Sequence, residues 1–403
     1  MKILFLSETF PDASHPACGT YNLALCRELS REHEVRVISP RSWLDVVRGR
    51  QFEAGDAVRE SGLKVLYPTR WYTPGFAQSK YGGQMWWSIG SALRTLTHDW
   101  KPDAVLSYWA HPDGECGLRA GRMFDAPSAV IVGGSDVLLL PKDPQRGECV
   151  RRVLSDSGTV ITVSDGLRQA CLELSVPASR VRTIRQGIDP QVFHHGDQAE
   201  ARARLGLSVP AGETLAVWVG RMVGLKRVDV LILACRMLKE RGQRVRVCLL
   251  GDGPCRAAWE QLAASAGISD QIQFVGPVGH DRLADWYRAA DLTVLCSESE
   301  GLPNVLRESV ACGTPFVSTD IGSIREIAEP QFAELVPVSD AEGLARGIET
   351  VISGSHSQAA KQFVARPWSE TAHDTQTLLE ELIAHQKAQG LQPLGFETST
   401  LST

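Results

Sequence analysis

Residues 220–226, Gly-Arg-Met-Val-Gly-Leu-Lys, put Arg221 and Lys226 five residues apart on a loop with two glycines. Arginine offers a bidentate fork and lysine a compact point charge, so both can converge on one anionic group, and a pyrophosphate is a natural target. A second stretch, Ser297-Glu-Ser-Glu-Gly-Leu-Pro-Asn304, is followed by Glu308. Gly301 permits close backbone approach, and Pro303 stands where a helix would begin. The free amides of that helix start suit a phosphate. Glu300 lies just before the helix and Glu308 within it, where each can accept hydrogen bonds from hydroxyl groups. Acids near a helix start also complement its dipole; this suffices for Glu298, but explains neither the Gly-Leu-Pro-Asn run nor Glu308. A third stretch, Gly251-Asp-Gly-Pro254, has the look of half a G-x-G-x-x-G fingerprint, but position 256 is Arg. The first strand-to-helix turn, Ser7–Gly19, lacks that pattern too, which argues against a dinucleotide dehydrogenase. Gly253 is expected in a tight turn with some contact to a nucleotide.

The elements that must position these residues are legible as short apolar runs alternating with amphipathic stretches. The candidate strands are Ile3–Ser7, Glu34–Ile38, Lys64–Tyr67, Ala104–Ser107, Ala129–Val132, Thr159–Val163 and Arg180–Arg185, then Thr214–Val219, Arg244–Leu250, Ile272–Val275, Leu292–Cys296, Pro315–Ser318 and Ala333–Val336. Helical patterns fall at Tyr21–Arg31, Asp113–Met123, Ser164–Leu174, Val228–Arg241, Pro254–Gly267, Asp281–Ala290, Asn304–Cys312 and Ala341–Ile352. Alternation of this kind predicts parallel sheets covered on both faces. It pauses at residues 186–197, where Gly, Asp and Pro interrupt both periods and predict a linker. A last helix follows Pro367, and the tail beyond Gly390 is rich in Ser and Thr. The expected fold class is α/β: two doubly wound domains in series with a cleft between them, over 1–190 and 191–365, then a C-terminal helix over 366–386 and a tail over 387–403. In such sheets ligands bind outside the carboxyl ends of the strands, where all three glycine-bearing loops fall.

Composition excludes several classes. The chain has 403 residues, 43% hydrophobic and 22% charged, an ordinary globular balance, and its net charge of −5 gives no basic footprint for nucleic acid. No apolar run approaches the ~20 residues of a membrane span. The apolar start ends at Glu8, too short for a signal peptide. The ten cysteines include no C-x-x-C pair, so they predict buried thiols in a reducing compartment rather than a zinc or redox centre. A cytoplasmic protein is expected. No aspartate pair with metal-ligand spacing stands out, so neither metal nor cofactor is expected.

Glu300-Gly-Leu-Pro-Asn-Val-Leu-Arg-Glu308 resembles the E-x7-E motif of the family-4 retaining glycosyltransferases, and Gly220-Arg221…Lys226 resembles their GR-x4-K phosphate loop. Ala311-Cys-Gly-Thr-Pro-Phe-Val-Ser-Thr-Asp320 is similar to the A-x-G-x-P-V segment that follows, and Gly251–Pro254 and Gln186-Gly-Ile-Asp189 also fit. The resemblance covers nearly the whole chain and is sharpest over 214–328. It implies the GT-B fold, two Rossmann-like domains with the active site in the cleft, the final helix crossing back to the first domain. It implies that Arg221 and Lys226 hold a donor diphosphate and that Glu300 contacts donor-sugar hydroxyls. The amides of Gly301, Leu302 and Asn304, around Pro303, would lie near sugar and phosphate, Glu308 would take the ribose hydroxyls, and Val275–Val278 would lie by the base. Gly19 would approach the phosphate from the first domain. The nucleotide-sugar is then a substrate, transferred with retention and without a metal to a glycan or lipid-linked acceptor in polysaccharide or glycolipid synthesis. A nucleotide-sugar epimerase or hydrolase, or a non-catalytic nucleotide-sugar-binding subunit, is the alternative. Two departures stand out: Ala17-Cys-Gly-Thr20 has one glycine where relatives often have two, and the position where relatives often carry His is Gly133.

Two further features lie in the first half. Residues 64–101 contain eight aromatics, five basic residues and one acid, where 27 aromatics in 403 residues would place two or three. Core packing explains such a cluster, and so does a surface making weak contact with an anionic membrane, which would make the protein peripheral at the inner face. His111, in Ala-His-Pro-Asp-Gly after a strand, is either a surface residue or a helix-capping neighbour, or else a group that contacts the donor sugar or the acceptor hydroxyl in place of the missing His, since imidazole can donate or accept near neutral pH.

Overall fold

The computed structural model describes residues 1–50 and 52–389; the Ser/Thr-rich stretch from Gly390 lies outside the described residues. The chain divides into two units. Unit 1 takes 1–162, 170–184 and the residues from 371 on; unit 2 takes 163–169 and 185–370.

Unit 1 is built on β1 (Lys2–Leu6), β2 (Glu34–Ile38), β3 (Lys64–Leu66), β4 (Ala104–Tyr108), β5 (Ser128–Val132), β6 (Thr159–Thr162) and β7 (Val181–Thr183). They form one parallel sheet in the order β3-β2-β1-β4-β5-β6-β7. Ile3, Leu4, Phe5 and Leu6 of β1 are all fully buried. A run apolar on both faces needs cover on both, which the helices supply. Unit 2 repeats the plan with β8 (Thr214–Val219), β9 (Val245–Leu250), β10 (Ile272–Gly276), β11 (Leu292–Leu295), β12 (Phe316–Thr319) and β13 (Ala333–Val336), in the order β10-β9-β8-β11-β12-β13. All thirteen expected strands are present, shifted by a residue or two at some ends.

Both sheets grow outward in two directions from their first strand, so the winding reverses between β1 and β4 and again between β8 and β11. At such a switch the two flanking helices lie on opposite faces and the loops open a crevice. Helix starts follow the expected chemistry: Asp143, Asp197 and Asp340 each accept a bond from a backbone amide of the first turn, and Pro144 opens its helix.

Two expectations change. The predicted linker is packed structure: Ile188 and Phe193 are buried in a core cluster of unit 2, and Ile188 bridges to Pro367. Gly, Asp and Pro there encode a fixed irregular path. The aromatic stretch contains a helix of 17 residues, Tyr81–Thr97, which buries Gly82, Met85, Ile89, Leu93 and Leu96 at helical spacing. Its three glycines and its tryptophans obscure that period in the sequence.

Candidate functional site

The rim of unit 2 at its switch point collects most of the singled-out residues. The loop after β8 carries Arg221 and Lys226; the loop after β11 carries residues 297–303 and runs into the helix Asn304–Ala311. These strands are neighbours, so their loops lie side by side, and the Glu298 amide donates to the Leu225 carbonyl at 2.8 Å.

Lys226 Nζ donates to Glu300 Oε1, and Ser297 Oγ donates to the same oxygen at 2.6 Å. Cation and acid from the two motifs are thus brought into one cluster. Arg221 is exposed and has no ion pair among the described residues, which leaves its guanidinium available. Arg227, next to Lys226, is different: Asp229, Glu298 and Ser339 hold it, and their hydrogen bonds push its guanidinium pKa up. Glu298 is consumed in that structural pair.

Glu308 is buried in the helix that follows Pro303. The Tyr287 hydroxyl donates to its Oε2 at 3.1 Å, and His280 Nε2 stands 3.5 Å from its Oε1. Burial next to this acid drives the Tyr287 phenol far upward, so it remains a donor. The neighbouring Arg307 anchors the predicted linker by donating to the Gln186 carbonyl, while Asn304 Nδ2 reaches Gln186 Oε1 at 3.3 Å. Burial lowers the Arg307 guanidinium to about 10. The N–H groups of Gly301, Leu302 and Asn304 (Pro303 has none) precede any helical acceptor, so they add partial positive charge to the rim. Gly301 meets loop 320–323 through its own carbonyl, which accepts from Ser323 N at 3.2 Å.

Gly251 and Gly253 shape the rim by backbone contact. Gly251 has φ +133°, and a Cβ there would stand 1.9 Å from the Gly220 carbonyl oxygen; one at Gly253 would stand 2.4 Å from that of Met222. Met222 N donates to the Asp252 carbonyl at 2.9 Å. The turn after β9 is therefore a buttress for the cationic loop. Val278, after β10, packs against the same core cluster as Ile188 and Phe193.

In unit 1, Gly19 caps the start of helix Thr20–Leu29 at φ +68°, where a Cβ would stand 2.3 Å from the Thr9 carbonyl oxygen. His111 is fully buried, which removes the surface reading. It follows β4, and its Nε2 lies 3.6 Å from Glu115 Oε2. Burial lowers its pKa to about 4, with Glu115 opposing, so the ring is neutral at physiological pH. The place of a side chain at Gly133 is taken: a Cβ there would stand 2.2 Å from the Tyr108 hydroxyl. Asp136 holds this corner, accepting from the amides of Ala110, Gly133 and Gly134 at 3.0, 3.1 and 2.8 Å.

Sequence reasoning did not single out Ser297, Tyr287, His280 or Tyr108 as partners. Ser297 sits inside the quoted motif and was within reach; the others meet their targets only through tertiary packing.

Residues 200–366 match the model of glycosyl transferases group 1, and residues 17–187 match a glycosyl transferase 4-like domain. A Bacillus subtilis (strain 168) protein named as a teichuronic acid biosynthesis glycosyltransferase is 27% identical, over 92% of this chain and 93% of the relative. A D-inositol 3-phosphate glycosyltransferase of Streptosporangium roseum is 35% identical over 72% of each chain. Among solved structures, Anabaena HepE in complex with UDP-glucose superposes with a TM-score of 0.70 at 17% identity, over 96% of this chain and 99% of that one. Two doubly wound parallel sheets, a family model matched to each half, and a relative of this identity and coverage lead to one conclusion: the chain belongs to the group 1 glycosyltransferases, of GT-B fold.

Proposed function

We propose that the protein is a retaining, metal-independent hexosyltransferase that takes a sugar from a UDP- or GDP-linked donor and places it on a hydroxyl of a glycan or lipid-linked acceptor. The observation that carries this reading is the contact of Lys226 with Glu300 between two neighbouring loops, one of which also carries Arg221 while the other leads into the helix of Glu308. The two cations suit the diphosphate, Glu300 the sugar hydroxyls and Glu308 the ribose. Uridine as the base is supported by the UDP-glucose held in HepE, and a polysaccharide product by the name of the Bacillus relative.

The step breaks the bond between the anomeric carbon and the β-phosphate oxygen, while the acceptor oxygen bonds to that carbon from the same face. Negative charge builds on the leaving diphosphate, where Arg221, Lys226 and the N–H groups of Gly301, Leu302 and Asn304 stabilise it. The departing phosphate oxygen takes the acceptor's proton, so no protein base is needed. Lys226 exchanges part of its bond to Glu300 for the phosphate, which frees Glu300 for the sugar. Preorganised charges of this kind contribute on the order of 3–4 kcal/mol each to the barrier.

The protein would work at the inner face of a membrane, touching it weakly. Val47, Trp71, Phe76 and Trp87 of unit 1 are all more than half exposed, an apolar group that suits an interface; salt-sensitive sedimentation with anionic vesicles is the expected result. Among the described residues no helix is long and apolar enough to cross a membrane.

Purified protein given a radiolabelled UDP-sugar and a membrane-lipid extract tests the function. Labelled lipid or glycan with the anomeric configuration of the donor, unaffected by EDTA, is the expected outcome. Free sugar, an epimerised donor, an inverted product, or activity restored by Mg²⁺ would each overturn a named part of it.

A further inference from the structure

Unit 1 holds a cavity of about 260 Å³ beside the loop that follows β4, and its wall includes Glu8, Arg70, Tyr72, His111, Asp113 and Arg146. Several nitrogens on this wall are buried and have no hydrogen-bond partner. Arg70 is 5% exposed; its Nη1 pairs with Glu8, and its guanidinium carbon lies 4.5 Å and 5.0 Å from the ring centroids of Tyr72 and Tyr81. Its Nε and Nη2 nevertheless find no acceptor, Nε of Arg146 finds none either, and neither ring nitrogen of His111 has a partner. Glu115 does not relieve His111: its Oε2 stands 3.6 Å from Nε2, beyond hydrogen-bond reach, and its oxygens are drawn to Arg119 and Arg152 at 2.8 and 3.0 Å.

Buried polar groups in native proteins are nearly always satisfied, and a buried guanidinium N–H left bare is especially costly. Three side chains from three separate segments, all short of acceptors around one cavity, describe a site built for something absent from the protein itself. The deficit has a sign. Each arginine contributes N–H donors, and neutral imidazole contributes one more. What fits must bring acceptor oxygens and negative charge. The carboxylates present do not fill that need: Glu8 is held by Arg70, and Asp113 accepts from the Glu8 amide at 2.5 Å. Burial and the adjacent Glu8 also push the Asp113 carboxyl up, which weakens its repulsion of an incoming anion.

We propose that this cavity binds an oxyanion, a phosphate or a sugar carboxylate, carried by the acceptor. Arg70 and Arg146 take its charge, and His111 donates one hydrogen bond. The word acceptor rests on the transferase reading above; the oxyanion site does not. Tyr72 also lines a larger cavity of about 880 Å³ walled by Trp43, Trp71 and Trp87, so a ligand anchored by its oxyanion has room to extend along aromatic faces.

The test is a titration of the full-length protein with inorganic phosphate, a hexose phosphate and glucuronate, in saturating UDP to cover the cationic rim of unit 2. At least one of the three is expected to bind saturably and to move the His111 ring resonances; which one binds separates phosphate from carboxylate. Arg146→Gln, at the partly exposed edge and so tolerant of change, and Arg70→Lys, which keeps the pair with Glu8, are each expected to weaken that binding about tenfold or more. Their affinity for UDP is expected to stay unchanged. No saturable binding of any of the three, or binding by both variants as tight as wild type, would overturn the proposal. Oxyanion binding without sugar transfer would instead reject the transferase reading and leave this site standing.

Discussion

The two units share one architecture and use its switch point differently. At the rim of unit 2 most polar side chains have partners: Lys226 and Ser297 on Glu300, Tyr287 on Glu308, Arg227 on Glu298 and Asp229. Arg221 has no ion pair among the described residues and stands open. Around the cavity of unit 1 the reverse holds, and Arg70, His111 and Arg146 keep buried nitrogens without acceptors. A rim of internally paired charges is shaped in advance and exchanges partners when its ligand arrives. A cavity with unmet donors is completed by its ligand. The same winding of strands thus supports two modes of recognition, because the sheet fixes only where the loops meet and the loops decide what they present.

The comparison breaks most readily at the cations of unit 2. Arg221→Ala and Lys226→Ala are each expected to lower kcat by about 10²–10³, roughly 3–4 kcal/mol, with little change in melting temperature, since neither side chain is in the core. Lys226→Ala is expected to be the worse of the two, because it also strips Glu300 of its cationic partner and leaves it only Ser297. Near-normal turnover in both variants would show that this rim is not where charge develops.

Glycines sharpen the comparison next. Gly251→Ala places a methyl against the Gly220 backbone at a positive φ, and the expected loss is about 3 kcal/mol of stability. In Gly133→Ala of unit 1 the nearest atoms met belong to the buried Tyr108 side chain rather than to backbone, and the position has no positive φ, so its cost is expected to be smaller. Chemical denaturation of the two variants gives the order directly.

The buried imidazole of unit 1 supplies a pH signature. The His111 pKa is about 4 in the fold against 6.5 when free, so the native state holds fewer protons between those values. Its contribution to stability is therefore complete above the free value and is lost as pH falls toward the folded one. At about pH 5 wild type is expected to have lost roughly 2 kcal/mol more, relative to about pH 7, than His111→Gln. NMR titration of the ring checks the same shift, and a midpoint near 6.5 would contradict it.

The smallest effect belongs to Tyr287→Phe, which removes one hydrogen bond from Glu308. About 1 kcal/mol is expected, seen as a several-fold weaker affinity for UDP with kcat nearly unchanged. Glu308→Ala is expected to weaken UDP and the intact donor alike, whereas Glu300→Ala is expected to act mainly on turnover. Calorimetry with UDP alone separates the two acids.

Much of the molecule was legible in its residues. The strands announced themselves because parallel strands covered on both faces must be continuous apolar runs, as Ile3–Leu6 is. The rim of unit 2 was legible because its chemistry is local: Arg221 and Lys226 share one loop, and Glu300 and Glu308 share one loop-to-helix segment. Helix Tyr81–Thr97 was not, since its glycines and the outward Trp87 hide its buried face. Nor was the packed path of 186–197, where turn-forming residues serve a fixed course held by Ile188, Phe193 and Arg307.

What the sequence determined by itself is what depends on neighbours along the chain: the alternation of strand and helix, the loop cations, the acid spacing, the helix caps. The tertiary structure alone decided which groups meet across it. Tyr287 reaches Glu308 from another helix, and Tyr108 fills the space left at Gly133. Arg70, His111 and Arg146 come together from three segments around one cavity. The physical reason is that a hydrogen bond or a cavity wall depends on distances of a few ångströms, and these are set by how helices and loops pack on the sheet rather than by separation along the chain.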